Sequence, residues 1–227
     1  MTTTTRERPI LFSSEMVRAI LAGTKSVTRR IVKEPDFDVE DGRAHFPSYI
    51  DCGDAGENAP VPCPYGAPGD SIWVRERFSP CDKGGGASKI DSAAYVVLVD
   101  GTQVYRDGAR VPGLPQYAPG AFDGIKWRPS IHMPRWASRI TLPVTAVRVE
   151  RLQDISEADA VAKGVEAMPG GRWRNYMPER ESNNNAVASA RESFFTLWEL
   201  INGAASLAAN PHVWVVAFSP AQIGGAA

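Results

Sequence analysis

The sequence has no segment that reads as an export signal or a membrane span. Its opening MTTTTRERP lacks an apolar core, and no apolar run approaches the roughly 18 residues that a bilayer crossing needs. The expectation is a cytoplasmic protein with no membrane partner. Cysteine is scarce as well: Cys52, Cys63 and Cys81 form an odd set without a CxxC pair, which argues against a disulfide framework and a four-cysteine zinc site. His45, His132 and His212 stand at spacings that match no standard metal pattern, so no metal and no cofactor is expected. An excess of positive charge is missing too, because 25 Lys and Arg face 26 Asp and Glu for a net charge of −1. Such a chain does not coat nucleic acid through its global charge; any anionic partner has to be met by a local patch.

What the sequence does have is apolar material, 43% of 227 residues, enough for a real core. Ser13 and Ser14 can cap a helix from about Glu15 to Ala22, closed by Gly23. From about Glu34 to Gly69 the composition turns to Pro, Gly, Asp and Asn, the mark of a long loop. Ile72 and Val74 in PGDSIWVRERF predict a strand, as does AAYVVLV. Ile140, Leu142 and Val144 alternate, and the apolar set then slips phase to Val147 and Val149, which predicts a bulge near Thr145 and Ala146. ISEADAVAKG predicts a short helix capped by Ser156 and stopped by Gly164. A longer helix carries Val187, Phe194, Leu197, Trp198 and Ile201 on one side, and HVWVVAF closes the chain as a strand. This order favours an α+β domain over a doubly wound sheet, because long helices do not regularly separate the strands.

Four blocks in order, ILAGTKSVTRR, PGDSIWVRERF, ITLPVTAVRVERLQDISEADAVAKGV and the terminal LWELING with NPHVWVVAF, resemble the ASCH family, in particular its longer phage and prophage members. The family's loop is written GxKxxxxR, and Gly23, Lys25 and Arg30 occupy those positions. The resemblance implies a PUA-like β-barrel with flanking helices, here as a single domain over 9–220 with Gly/Pro-rich insertions at about 35–65, 82–125 and 168–188. The ends, 1–8 and 221–227, are expected to be a disordered and a flexible tail. It also implies binding of RNA or a modified nucleoside, single-stranded nucleic acid included, through the cleft beside that loop. The small bacterial members are N4-acetylcytidine amidohydrolases that use a lysine, a threonine three residues later and a downstream glutamate. By that resemblance Lys25 and Thr28 fall on the first two positions. The third departs: the same distance counted from Ile155 lands on Lys163. A lysine at a helix C-terminus is favoured by the helix dipole, which reads Lys163 as a structural residue.

Amide hydrolysis needs a nucleophile, a base, an acid for the leaving amine and stabilisation of the oxyanion. Thr28 can supply the hydroxyl and Lys25 can take its proton, provided that burial or the neighbouring Arg29 and Arg30 lower the lysine pKa. Glu166, three residues beyond Lys163, and Glu76 in WVRERF are the candidate acids. Each also has a plainer reading, Glu76 as a strand-surface residue paired with Arg75 or Arg77 and Glu166 as a solvated loop residue. Lys25, Thr28, Arg30 and Glu76 are expected around one cleft.

A binding role draws on another stretch. KWRPSIHMPRWASR holds Lys126, Arg128, Arg135 and Arg139 and no acid, with Trp127, His132 and Trp136 between them, a pattern that can contact phosphates while stacking bases. Lys126, Trp127, Arg128, Arg135 and Trp136, together with Gly23, Arg29, Arg30 and Arg75, make the expected nucleic-acid-binding set. A third reading, an accessory or interaction module without a base pocket, draws on the insertions that no chemistry requires. Binder, hydrolase and module all remain open at the level of sequence, as does the oligomeric state.

Overall fold

The computed structural model describes residues 5–33, 37–45, 60–81, 89–98, 100–111, 126–177, 186–219 and 222–223. Much of the three expected insertions lies outside the described residues, as do 1–4 and 224–227 of the expected tails and Cys52. In chain order the elements begin with β1 (Glu7–Leu11), α1 (Ser14–Leu21), β2 (Val27–Ile31), β3 (Asp38–Glu40) and β4 (Arg43–His45). There follow β5 (Ser71–Arg75), β6 (Phe78–Cys81), β7 (Tyr95–Leu98), β8 (Gln103–Tyr105), β9 (Arg110–Val111) and the long β10 (Ile140–Arg151). The last part holds α2 (Glu157–Ala162), β11 (Ala167–Met168), β12 (Arg172–Arg174), β13 (Ala186–Val187), α3 (Ala190–Asn202), α4 (Ala204–Ala208), β14 (His212–Phe218) and β15 (Gln222–Ile223). The chain is thus mixed α+β, with a core built mostly on sheet and few helices.

Helix starts follow the side-chain caps. Ser156 Oγ accepts the Asp159 N–H at 3.1 Å, and Ser189 Oγ accepts the Glu192 N–H at 3.1 Å. The second cap corrects the expected start of the longer helix: the Glu192 carboxylate reaches back to the Ala188 N–H at 2.9 Å, so α3 begins at Ala190 and leaves Val187 in β13. Glu157 links the two helices by accepting the N–H groups of Ala190 and Arg191, two donors that a helix start otherwise leaves open. Gly164 ends α2 at φ 85°, a backbone that other side chains adopt only with strain.

Two compact units are present, each made of separate stretches of chain. The first takes residues up to Leu21, Asp70–Pro143 and the C-terminal end from Ala221. There β1 runs parallel to β5, β5 runs antiparallel to the start of β10, and β15 pairs with β10 on its other side. Glu7 and Arg8, expected in a disordered tail, are therefore strand residues: their backbones pair with Ser71 and Ile72, and the Asp70 carboxylate accepts the Arg6 N–H at 3.0 Å. Gln222 and Ile223, also expected in a tail, pair with Thr141 and Ile140. A meander of β6, β7, β8 and β9 completes this unit, with Phe78, Val96, Leu98, Val104, Met133 and Ala137 as its core.

The second unit takes Ala22–Gly69 and Val144–Pro220. Its main sheet is antiparallel, with β14 between β10 and β2, and the β10 register slips between Val144 and Ala146, where the phase change in the sequence predicts a bulge. Valines of β14 and Val27 pack beneath α2 and α3 with Leu152, Ile155, Phe194 and Trp198. In neither unit do the described strands close into a barrel. Among the described residues no helix is long and apolar enough to cross a membrane.

Leu152, fully buried in the second core, measures the packing of that unit. Leu152→Ala should lower unfolding stability by about 2–5 kcal/mol, as read by urea denaturation, whereas a loss below about 1 kcal/mol would mean that this core is loosely packed.

Candidate functional site in a buried cation cluster

Strand alternation sorts the residues of VTRRI by face. Val27 and Arg29 point to the helix-covered side, and Thr28 and Arg30 to the other, where they stand beside Val216 and Trp214 of β14. Val215 pairs with Arg29 on one side and with Arg148 of β10 on the other, so both arginines share the helix-covered face. Arg29 is buried and donates from Nε and Nη2 to Glu150 Oε1 at 3.0 and 2.6 Å, and from Nη2 to Asp159 Oδ2 at 2.8 Å. Arg148 bonds the same two carboxylates, Glu150 at 3.0 Å and Asp159. Two cations thus share two anions. Arg29 Nη1 remains buried without a hydrogen-bond partner among the described residues.

Two lysines are added to this arrangement. Lys25 is 2% exposed, and its Nζ donates to the carbonyls of Val27 at 2.7 Å and Lys163 at 3.1 Å. Burial, with Arg30 and Arg29 adding to it, lowers its pKa from the usual 10.5 to about 7. Lys163 follows α2 as its C-cap residue and is 7% exposed, with Nζ 5.6 Å from the centre of the Phe194 ring that Arg29 approaches at 5.8 Å. Burial lowers its pKa well below the usual range, helped by Lys25, Arg29 and Arg30. This corrects the expectation of a comfortable lysine at a helix end. A dipole at the end of a six-residue helix is a small term beside the loss of water and three neighbouring cations. Thr28 is 1% exposed on the strand that Lys25 grips at Val27, and Arg30 faces Tyr65, whose phenol is pushed up by burial.

The remaining candidates are placed elsewhere. Glu166 belongs to this unit but is exposed, with its carboxylate on Arg174 at 2.8 Å, in keeping with a solvated loop residue. Glu76 belongs to the first unit. It is 2% exposed and held by both Nε and Nη2 of Arg139 at 2.9 Å, so its partner is neither Arg75 nor Arg77. Burial raises its pKa against the pull of Arg139, and Arg139 is further tied to Asp100 and Thr102. Arg75 donates to the Ile131 carbonyl and lies over Trp73.

KWRPSIHMPRWASR also lies in the first unit. Arg135 makes a two-point ion pair with Glu7 at 2.8 and 2.9 Å, Trp136 packs on the core beneath Arg106, and Trp127 lies 6.0 Å from Arg77. Lys126 gives its carbonyl to Ser79, and Arg128 is bridged through its backbone to Phe78. Lys25, Thr28 and Arg30 thus fall in one unit and Glu76 with the aromatic-basic stretch in the other. Gly23, at φ 71°, opens the loop to Lys25 with nothing within 4 Å of where a Cβ would stand. Among the described residues no group of His, Cys, Asp and Glu could hold a metal ion.

The carboxylates Glu150 and Asp159 are the site residues that the sequence reading missed. Asp159 stands at the capping-box position of α2, but its N–H serves the Ser156 cap while its carboxylate goes to Arg29 and Arg148. The signal for Glu150 is the charge alternation in RVE, which puts Arg148 and Glu150 on one face of a strand. Comparison with protein-family models, with curated proteins and with solved structures found no match.

The lowered pKa of Lys25 fixes a sign for stability. Between about pH 7 and 10.5 the unfolded chain binds the proton that the folded chain has lost, so stability rises with pH across that window. Below it the full cost of a buried ammonium applies. Lys25→Met should flatten this rise by up to about 1.4 kcal/mol per pH unit, read by urea unfolding at a series of pH values. Equal slopes in wild type and variant would place the Lys25 titration in its usual range.

Proposed function

We propose that this chain is an ASCH-type protein with a PUA-like domain that binds RNA or a modified nucleoside through the segment from Gly23 to Arg30. The observation that carries the reading is the buried set Lys25, Arg29 and Lys163, with half-buried Arg30 beside it, around a strand that also presents Thr28. Packing alone gives no reason to desolvate so many cations, since apolar residues of similar volume do as well or better. A ligand that brings carbonyl oxygens or a phosphate gives one. Arg30 is half-buried near the Tyr65 phenol, a cation and an aromatic residue of the kind that can meet a base. Fluorescence anisotropy with short oligoribonucleotides, with and without N4-acetylcytidine, tests this: Arg30→Ala should weaken binding roughly tenfold or more, the worth of one charge-assisted hydrogen bond. Unchanged affinity in a folded variant would remove the site from this segment.

Hydrolysis of an acylated cytidine is the second reading, favoured by Lys25 titrating near neutrality three residues before Thr28. In that role the neutral amine takes the Thr28 proton as the hydroxyl attacks the acyl carbon. The leaving amine still needs an acid, and at Lys163 there is an amine in place of the family's glutamate. Incubation with N4-acetylcytidine should therefore release little cytidine from wild type, Lys163→Glu should release more, and the rate should climb as pH passes about 7 and Lys25 loses its proton. If neither protein releases cytidine, the hydrolase reading falls and the binding reading stands alone.

The aromatic-basic stretch has a role in this reading as a second contact for phosphates. Arg135 is engaged by Glu7, but in an exposed pair worth little in water, which a phosphate can displace. Replacing Arg128 and Arg135 by Ala should weaken RNA binding and flatten its dependence on salt, because fewer counterions are released. An unchanged salt slope would leave these arginines with their intramolecular partners.

A further inference from the structure

We propose that Lys163 is a site of reversible carbamate formation, in which its side-chain amine combines with dissolved carbon dioxide. The geometry is that of an amine set among cations with an open donor at hand. Lys163 is more than nine-tenths buried, and among the described residues its Nζ makes no hydrogen bond or ion pair, with the Phe194 ring as its neighbour. The charges acting on it come from Lys25, Arg29 and Arg30, all positive. The nearby carboxylates, Glu150 of β10 and Asp159 of α2, are already engaged by Arg29 and Arg148. Arg29, on the same Phe194 ring, keeps Nη1 buried and without a hydrogen-bond partner among the described residues. Lys25 reaches the backbone carbonyl of Lys163 itself at 3.1 Å.

Each of these observations asks for a negative group at Lys163. An approaching polyanion would have to shed its water to reach a residue with 7% exposure, whereas carbon dioxide is small, linear and uncharged. The reaction also needs the unprotonated amine. Burial and the three neighbouring cations favour that form, whereas lysines in water are almost wholly ammonium at neutral pH.

The step balances without an oxidant or reductant. The Nζ lone pair attacks the carbon of carbon dioxide, an N–C bond forms as one C=O π bond opens onto oxygen, and the nitrogen releases one proton to the buffer. The product is an N-carboxylysine that bears one negative charge. Arg29 and Lys25 are then faced by an anion in place of a neutral amine. The inference does not rest on the nucleoside reading, since the amine and its surroundings are the same whether or not a base binds.

The test uses the whole chain in buffered 13C-bicarbonate. Carbon NMR should show a carbamate resonance that disappears in Lys163→Met. Trapping the carbamate by O-alkylation, followed by digestion and mass spectrometry, should place the added carboxyl on Lys163 in the wild-type protein. That mapping needs no variant to fold. At about pH 7.5 the exposed lysines, being almost wholly protonated, should carry roughly tenfold less label or lower. Label on Lys25 in place of Lys163, label spread evenly over the surface lysines, or no label at all would each overturn the proposal.

Discussion

In the second unit the arrangement depends on one guanidinium that is held in the dark. Arg29 sits on β2, and its fork takes a carboxylate from β10, 121 residues away, and one from α2, 130 residues away. Withdrawing either carboxylate takes away part of the pairing of the buried guanidinium, and withdrawing both would leave its charge unpaired, a loss on the order of 3–5 kcal/mol. Strand order and helix position are therefore fixed together: β14 lies between the two arginine-bearing strands, and α2 is docked where Asp159 can reach both. The same ring of α3, Phe194, lies against Arg29 and Lys163.

Once Arg29 is placed in this way, the lysines on either side of it inherit an unfavourable surrounding. Lys25 leads into the strand and is tied to carbonyls at its own exit and at the end of α2, so it cannot swing out to water. Lys163 closes α2 and points over Phe194. Backbone carbonyls ease the charge on Lys25 but do not cancel the loss of water, which is why the amine form becomes accessible near neutrality. A site of this kind suits chemistry in which protons move or anions arrive, and perturbed groups cluster at such places. Lys163 stands in this same spot, where a positive charge is not fully solvated.

The first unit solves a similar problem with complete pairing. Glu76 and Arg139 bind each other at two points, and Asp100 and Thr102 occupy the other end of the guanidinium. A carboxylate so engaged is a structural anchor between β5 and the turn before β10. The aromatic-basic stretch likewise serves its own unit: Met133 and Ala137 are core residues, and Trp136 packs against them. Of its arginines only Arg135 is exposed, and it is paired with Glu7.

Local signals in the sequence were read where local chemistry decides the outcome. Ser156 caps α2, Gly164 stops it, and the phase slip around Thr145 becomes a register shift, because caps, stops and alternation involve groups a few residues apart. Lys25, Thr28 and Arg30 lie within one short segment, so the sequence shows their spacing. What these residues face was settled only by tertiary structure. Lys25 meets Lys163 across 138 positions, Glu76 meets Arg139 across 63, and Glu7 is drawn out of an expected tail by Ser71 and Arg135. A side chain's water, neighbouring charges and pKa are set by everything that packs around it, and that sum cannot be read from the residues beside it in the chain.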